Sequence, residues 1–167
     1  DFDEALRIYA RARMRASAHD HPVLQTLVEE SVALLQLARG RYHEALAGFE
    51  SARRQYELLG MPQHLAIAEK QLADAYLELR LLPEAVALYD QVLARLATLD
   101  AADEQAWTLA QRGRAQALLG RAAQADESFE RAFALFGAQG IGIGQAAVTL
   151  ARAELALEAG NPALATT

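Results

Sequence analysis

The sequence predicts an all-α solenoid of stacked helix pairs, and three observations carry that prediction. The first is a repeat. Ala5 precedes Tyr9, Ala45 precedes Phe49, Ala85 precedes Tyr89 and Ala125 precedes Phe129, with 40 residues between successive alanines; Ala165 falls on the same grid. A period of that size in a helical chain belongs to helix pairs that bury their apolar faces only against neighbouring pairs. The second is spacing: Leu65, Ala68, Leu72, Ala75, Tyr76 and Leu79 fall on one side of a helix. The third is composition. Hydrophobic residues make up 53% of the chain but aromatics only 7%, so alanine and leucine supply a core suited to close helix packing. β-branched residues never alternate along a run, and no strand is expected.

The elements follow in order. A lone amphipathic helix covers 2–18 through Leu6, Tyr9, Ala10 and Ala16, and Asp20-His21-Pro22 ends it. Three helix pairs follow at 22–59, 62–99 and 102–138, then a final first-helix at 142–160. Pro22 and Pro62 open two of the first helices, where proline's missing N–H costs nothing. Turns are expected at Gly40, Arg80, Gly120 and Gly160. The three glycines adopt the left-handed conformation that closes a helix with little strain, and Arg80 does so less easily. Residues 161–167 begin a partner helix that the chain does not complete. An array cut in mid-pair exposes an apolar face at each end, so weak self-association through those ends is expected. With no initiator methionine, residues 1–167 are expected to be a single repeat domain taken from a longer protein.

Several functions are excluded or disfavoured by residue content. There is no cysteine, hence no disulfide, thiolate metal site or cysteine nucleophile. The net charge of −6, with Lys70 the only lysine, disfavours a broad nucleic-acid surface. No apolar run approaches the roughly 20 residues that span a membrane, and the acidic, helical N-terminus lacks the features of a signal peptide. A cytoplasmic location is expected. The chain offers no nucleophile motif, phosphate loop or isolated acid pair, so it is not expected to be an enzyme or to hold a cofactor.

The small residues name a family. Ala33, Ala73, Gly113 and Ala153 each stand twelve positions before Ala45, Ala85, Ala125 and Ala165, and Leu72-Ala73 is followed by Tyr76. This pattern resembles the tetratricopeptide repeat (TPR), in which a small residue late in one helix meets another early in the next. The departures are the usual tryptophan position, held by Glu29, Glu69, Leu109 and Thr149, the absent closing proline, and a repeat six residues longer than the usual 34. Repeats of this length resemble those of maltose-regulator-type bacterial transcription activators, kinesin light chains and GoLoco-binding adaptors. HEAT repeats have a similar period, but the paired small residues favour the TPR. The resemblance implies a right-handed α-α superhelix of about eight helices.

It also implies a concave groove lined by the first helix of each pair. Carried onto this sequence, the candidate partner-binding residues are Glu30 and Leu34, then Ile67, Lys70 and Asp74, then Trp107, Gln111 and Arg114, and finally Glu154. Such a mixed surface suits an amphipathic helix or an extended peptide. Trp107 either anchors a ligand or packs on its neighbour; Arg114 either meets a ligand carboxylate or pairs with Asp74. The family's clamp for chaperone tails needs lysine, arginine and asparagine at positions that here hold Glu30, Leu34, Gln71, Trp107 and Gln111. Chaperone-tail binding is not implied.

Three short motifs invite other chemistry. Gly142-Ile143-Gly144-Gln145-Ala146-Ala147 spells the dinucleotide fingerprint, which works only after a strand. His19, His21 and His64 lack a metal-site spacing. Arg7, Arg11 and Arg15 share one helix face with Asp3 and Glu4 near by, the pattern of a solvated surface. The expected function is therefore a protein-interaction scaffold that binds a peptide or partner domain. The alternative is an effector-sensing segment of a bacterial signal-transduction or transcription-activator protein.

Overall fold

The computed structural model describes residues 2–158. Ala165, Gly160 and the incomplete partner helix lie outside that range. Eight helices occur among the described residues: α1 Phe2–Ala18, α2 Pro22–Ala38, α3 Tyr42–Leu58, α4 Pro62–Glu78, α5 Leu82–Leu96, α6 Ala102–Leu118, α7 Ala122–Ala138 and α8 Gly142–Glu158. No strand occurs among them. Nor is any helix among them long and apolar enough to cross a membrane.

Seven of the eight helices are 17 residues long, with a three-residue link after most of them. The 40-residue period is thus two near-identical 20-residue steps. The step is set at the C-terminal end of each helix. Asp20, Gly40, Gly60, Arg80, Gly120 and Gly140 all have positive φ, between 50° and 73°. Behind each, the next N–H reaches back to a carbonyl five residues earlier: His21 to Ala16, Arg41 to Gln36, Met61 to Tyr56, Leu81 to Tyr76, Arg121 to Gln116 and Ile141 to Phe136, at 2.9–3.0 Å. This is the Schellman closure, which satisfies carbonyls the helix leaves over. The N-terminal ends of α2, α3, α5, α6 and α7 have no such device. His21, Arg41, Leu81, Ala101 and Arg121 make no side-chain cap.

Position 100 breaks the cadence. Asp100 is not left-handed, and α5 stops at Leu96 in a four-residue turn. There Thr98 Oγ1 donates to the Arg95 carbonyl at 2.7 Å, and Gln105 Nε2 donates to the Leu96 carbonyl at 3.0 Å. These side chains add to the backbone bonds that Thr98 and Leu99 make to the same two carbonyls, at 3.0 and 3.1 Å.

Contacts divide the chain into two compact units, 1–75 and 76–167. In the first, α2 packs on α1 and α3. Ala33, Ala45, Phe49, Ala52 and Tyr56 are buried there, and Tyr56 joins Ala52, Leu65 and Ala68 in one cluster. A Cβ on Gly48 would lie 2.7 Å from that of Ala33, so glycine sets how closely α2 and α3 approach. In the second unit α6 packs on both α5 and α7, and α7 on α8. Its core joins Ala106, Leu109, Ala110, Ala125, Phe129, Ala132, Phe136 and Val148. Three of the four alanine–aromatic pairs that mark the repeat are therefore core residues, whereas Ala5 and Tyr9 on α1 are half-buried. Ala45, Phe49, Ala85, Tyr89, Ala125 and Phe129 are at most 1% exposed.

Candidate functional site

The candidate residues lie on the first helix of each pair, and the structure places them differently. On α2, Leu34 is exposed, whereas Glu30 is buried at 6%. Glu30 Oε2 accepts a 2.9 Å hydrogen bond from the Tyr56 hydroxyl on α3, while Oε1 has no partner. Burial pushes the Glu30 carboxyl above its usual range, against the opposing pull of the Tyr56 bond and nearby His64. The His64 ring stacks at a tilt 5.2 Å from the Tyr56 ring. Burial and the neighbouring Glu30 likewise raise the Tyr56 phenol. Glu30 is thus held by the inside of the first unit. On α4, Ile67 is exposed, and Lys70 and Asp74 are half-buried on the same side of the helix.

In the second unit Trp107, Gln111 and Arg114 share one face of α6. The Arg114 guanidinium donates to Gln111 Oε1 at 3.1 Å. The Trp107 ring meets Phe136 edge-on, with centroids 4.8 Å apart, a favourable aromatic geometry. The same side chain stays more than a third exposed. Both readings of Trp107 therefore have a physical basis: the indole packs on Phe136 and still leaves 37% of the residue exposed. On α8, Glu154 is exposed between the exposed Leu150 and Leu157.

The remaining motifs find plain settings. Gly142-Ile143-Gly144 follows α7 and a turn rather than a strand. A Cβ on Gly144 would collide with the Phe136 ring, so packing accounts for that glycine. His19 and His21 are exposed, with rings 6.4 Å apart. Among the described residues no group of three His, Asp or Glu side chains could hold a metal ion. Arg7 pairs with Glu4 on the surface at 3.5 Å.

One polar centre was not anticipated from the sequence. Arg112 on α6 donates from Nη1 to Asp90 Oδ1 on α5 at 2.8 Å, and from Nε and Nη2 to Ser128 Oγ on α7 at 3.2 and 3.1 Å. Ser128 is fully buried and donates in turn to Gln116 Oε1 at 2.6 Å. Forty residues on, Arg152 pairs with Glu130 at 3.5 Å and with Asp126 at 2.8 Å. The signal was present as a second, polar repeat, with Asp90 and Glu130 on the same grid as Arg112 and Arg152.

A tetratricopeptide-repeat family model matches residues 23–98. The match spans α2 to α5, where Ala33, Ala45, Ala73 and Ala85 form the paired small positions. Among solved structures, the crystal structure of BtubC (BKLC) from P. vanneervenii is similar over 99% of this chain and 69% of that one, with a TM-score of 0.86 and 22% identity. That likeness extends the TPR-like solenoid fold beyond the matched repeats. No curated protein matches the sequence.

Proposed function

We propose that this chain is a protein-interaction scaffold whose TPR first helices receive a peptide or a partner domain. One observation carries the reading. At a single position of the 40-residue period, three first helices present a large apolar side chain that is more than a third exposed: Leu27 at 38%, Ile67 at 36% and Trp107 at 37%. A core has no use for an apolar residue kept outside at a fixed register, whereas an interface anchors on such residues. Leu34, Lys70, Asp74, Gln111, Arg114 and Glu154 supply the polar and apolar surround at neighbouring positions, in a protein acting in the cytoplasm, while Glu30 is turned inward to Tyr56 and takes no part. The same reading includes weak self-association through the exposed Ile143, Leu150 and Leu157 of α8, which light scattering at high concentration would register as a rising mass.

Peptide-library selection on the immobilised chain tests the proposal, with Leu27→Glu and Ile67→Glu as variants that leave the core untouched. Selected peptides should lose at least tenfold in affinity to each variant. Peptides held equally by both variants would move the interface off this register. A metabolite that raises the melting temperature, with no peptide selected, would favour the effector-sensing reading.

A further inference from the structure

A cleft of about 460 Å³ opens in the first unit between α1, α2 and α3, a volume within the range of small-ligand sites. None of Leu27, Glu30, Leu34 or Ile67 lines it, so it is separate from the register proposed above. Its origin is visible in the repeat. Among its lining residues are Ala10, Val32 and Gly48, which stand two repeats before Asp90, Arg112 and Ser128. In the second unit those three side chains fill the corresponding space, with the Arg112 guanidinium bridging α5 and α7. In the first unit all three are truncated to alanine, valine and glycine.

We infer that this cleft binds an arginine side chain of a peptide partner, supplied in trans where Arg112 is supplied in cis. Val32 and the exposed Ala47 offer an apolar bed for the alkyl stem of an arginine. Two carboxylates, Glu29 and Glu44, line the cleft against one guanidinium, exposed Arg13. Charges of −2 and +1 leave the lining net acidic. Neither carboxylate makes an ion pair or hydrogen bond among the described residues. A guanidinium entering between them would gain charge-assisted, fork-shaped hydrogen bonds.

The test is an NMR titration of the ¹⁵N-labelled chain with acetyl-Ala-Arg-Ala-amide and with its citrulline counterpart, which keeps the shape and loses the charge. The arginine peptide should perturb the amides of Tyr9, Glu29, Val32 and Ser51 saturably, and bind at least tenfold more tightly than the citrulline peptide. Ala10→Asp with Val32→Arg supplies the Asp–Arg part of the internal bridge, Gly48 having no hydroxyl to match Ser128, and should abolish binding while the melting temperature holds. Glu29→Gln with Glu44→Gln, both changes outside the buried core, should weaken binding at least tenfold and gives an independent reading if the first pair disturbs folding. Equal affinity for the two peptides, undiminished binding by either folded variant, or no saturable change at the cleft amides would overturn the inference. Library peptides lost to Leu27→Glu or Ile67→Glu would leave it untouched, so the two proposals fail separately.

Discussion

The second helix and the sixth occupy the same place in the repeat, and polarity is reversed around them. Above α6 the space between α5 and α7 is sealed by Arg112, Asp90 and Ser128, whereas above α2 it is lined by Val32, Ala10 and Gly48 and left open. Toward the partner helix the order inverts. Glu30 of α2 meets Tyr56 of α3 through a buried hydrogen bond, while their counterparts Ala110 and Phe136 belong to the apolar core of the second unit. Each unit therefore places its polar network where the other places hydrocarbon. The alanine–aromatic pairs fix the packing in both, and the intervening positions are free to assign polarity. A repeat protein can in this way hold one backbone frame and vary where it is sealed.

The largest expected effect attacks what the two regions do not share in their close approach. A Cβ on Gly113 would lie 2.7 and 2.8 Å from two atoms of the Phe129 ring, itself 1% exposed. Gly113→Leu should cost about 1–3 kcal/mol by overpacking, read from urea unfolding. At the same position α2 carries Ala33, because there the glycine is across the interface at Gly48. The clearance is kept and only its side changes.

Next in size is the bridge. Arg112 is 14% exposed and Asp90 57%, so water screens part of their attraction, while the bonds to buried Ser128 are shielded. Arg112→Met should cost about 1.5 kcal/mol, the lower end of the scale of hydrogen bonds to a charged group. A double-mutant cycle with Asp90→Asn should assign the smaller share to the exposed ion pair. A cycle giving Asp90 the whole effect would mean that the seal depends on the ion pair rather than on Ser128.

Much of this was legible beforehand, and the division has a physical reason. The helices, their links and the Ala45, Ala85 and Ala125 positions were legible because burial demands small and aromatic residues at fixed spacing, and such a demand leaves a period in the sequence. Left-handed Arg80 could be placed by counting from Gly40 and Gly120. The early end of α5 could not, since it depends on Thr98 and Gln105 meeting particular carbonyls. Nor could the inward turn of Glu30, because a carboxylate at a surface register is buried only if a hydroxyl such as that of Tyr56 waits opposite. The open cleft is a property of three absences, and truncation to Ala10, Val32 and Gly48 looks unremarked in a chain rich in small residues.

The Glu30–Tyr56 pair separates the units by pH. The folded state raises the Glu30 pKa, so between the usual carboxylate value and the raised one the native chain holds a proton that the unfolded chain releases. Stability from this group is therefore fully present below the usual carboxylate range and lost as pH rises through the raised value. Glu30→Gln keeps an acceptor for the Tyr56 hydroxyl without the titration. It should flatten that part of the stability profile and be at least as stable as the parent at neutral pH. An unchanged profile would mean that the carboxyl is solvated in the folded chain.

The smallest effect concerns the closures that keep the two regions in step. Arg80 holds φ at +61°, whereas Gly40 and Gly120 hold +73° at the same point of their repeats. A side chain in the left-handed region costs roughly 1–2 kcal/mol, and glycine avoids that cost while losing more freedom on folding, by roughly 0.5–1 kcal/mol. The difference favours Arg80→Gly by about half a kcal/mol, and Gly120→Arg should cost about the same. Both values are measurable as opposite shifts in the urea midpoint at constant slope. Equal and opposite shifts would show that the closure is one backbone device whose energy does not depend on the side chain's surroundings. A loss on Arg80→Gly would show instead that the Arg80 side chain holds the turn through contacts of its own, and that the link between α4 and α5 is closed on different terms from the rest.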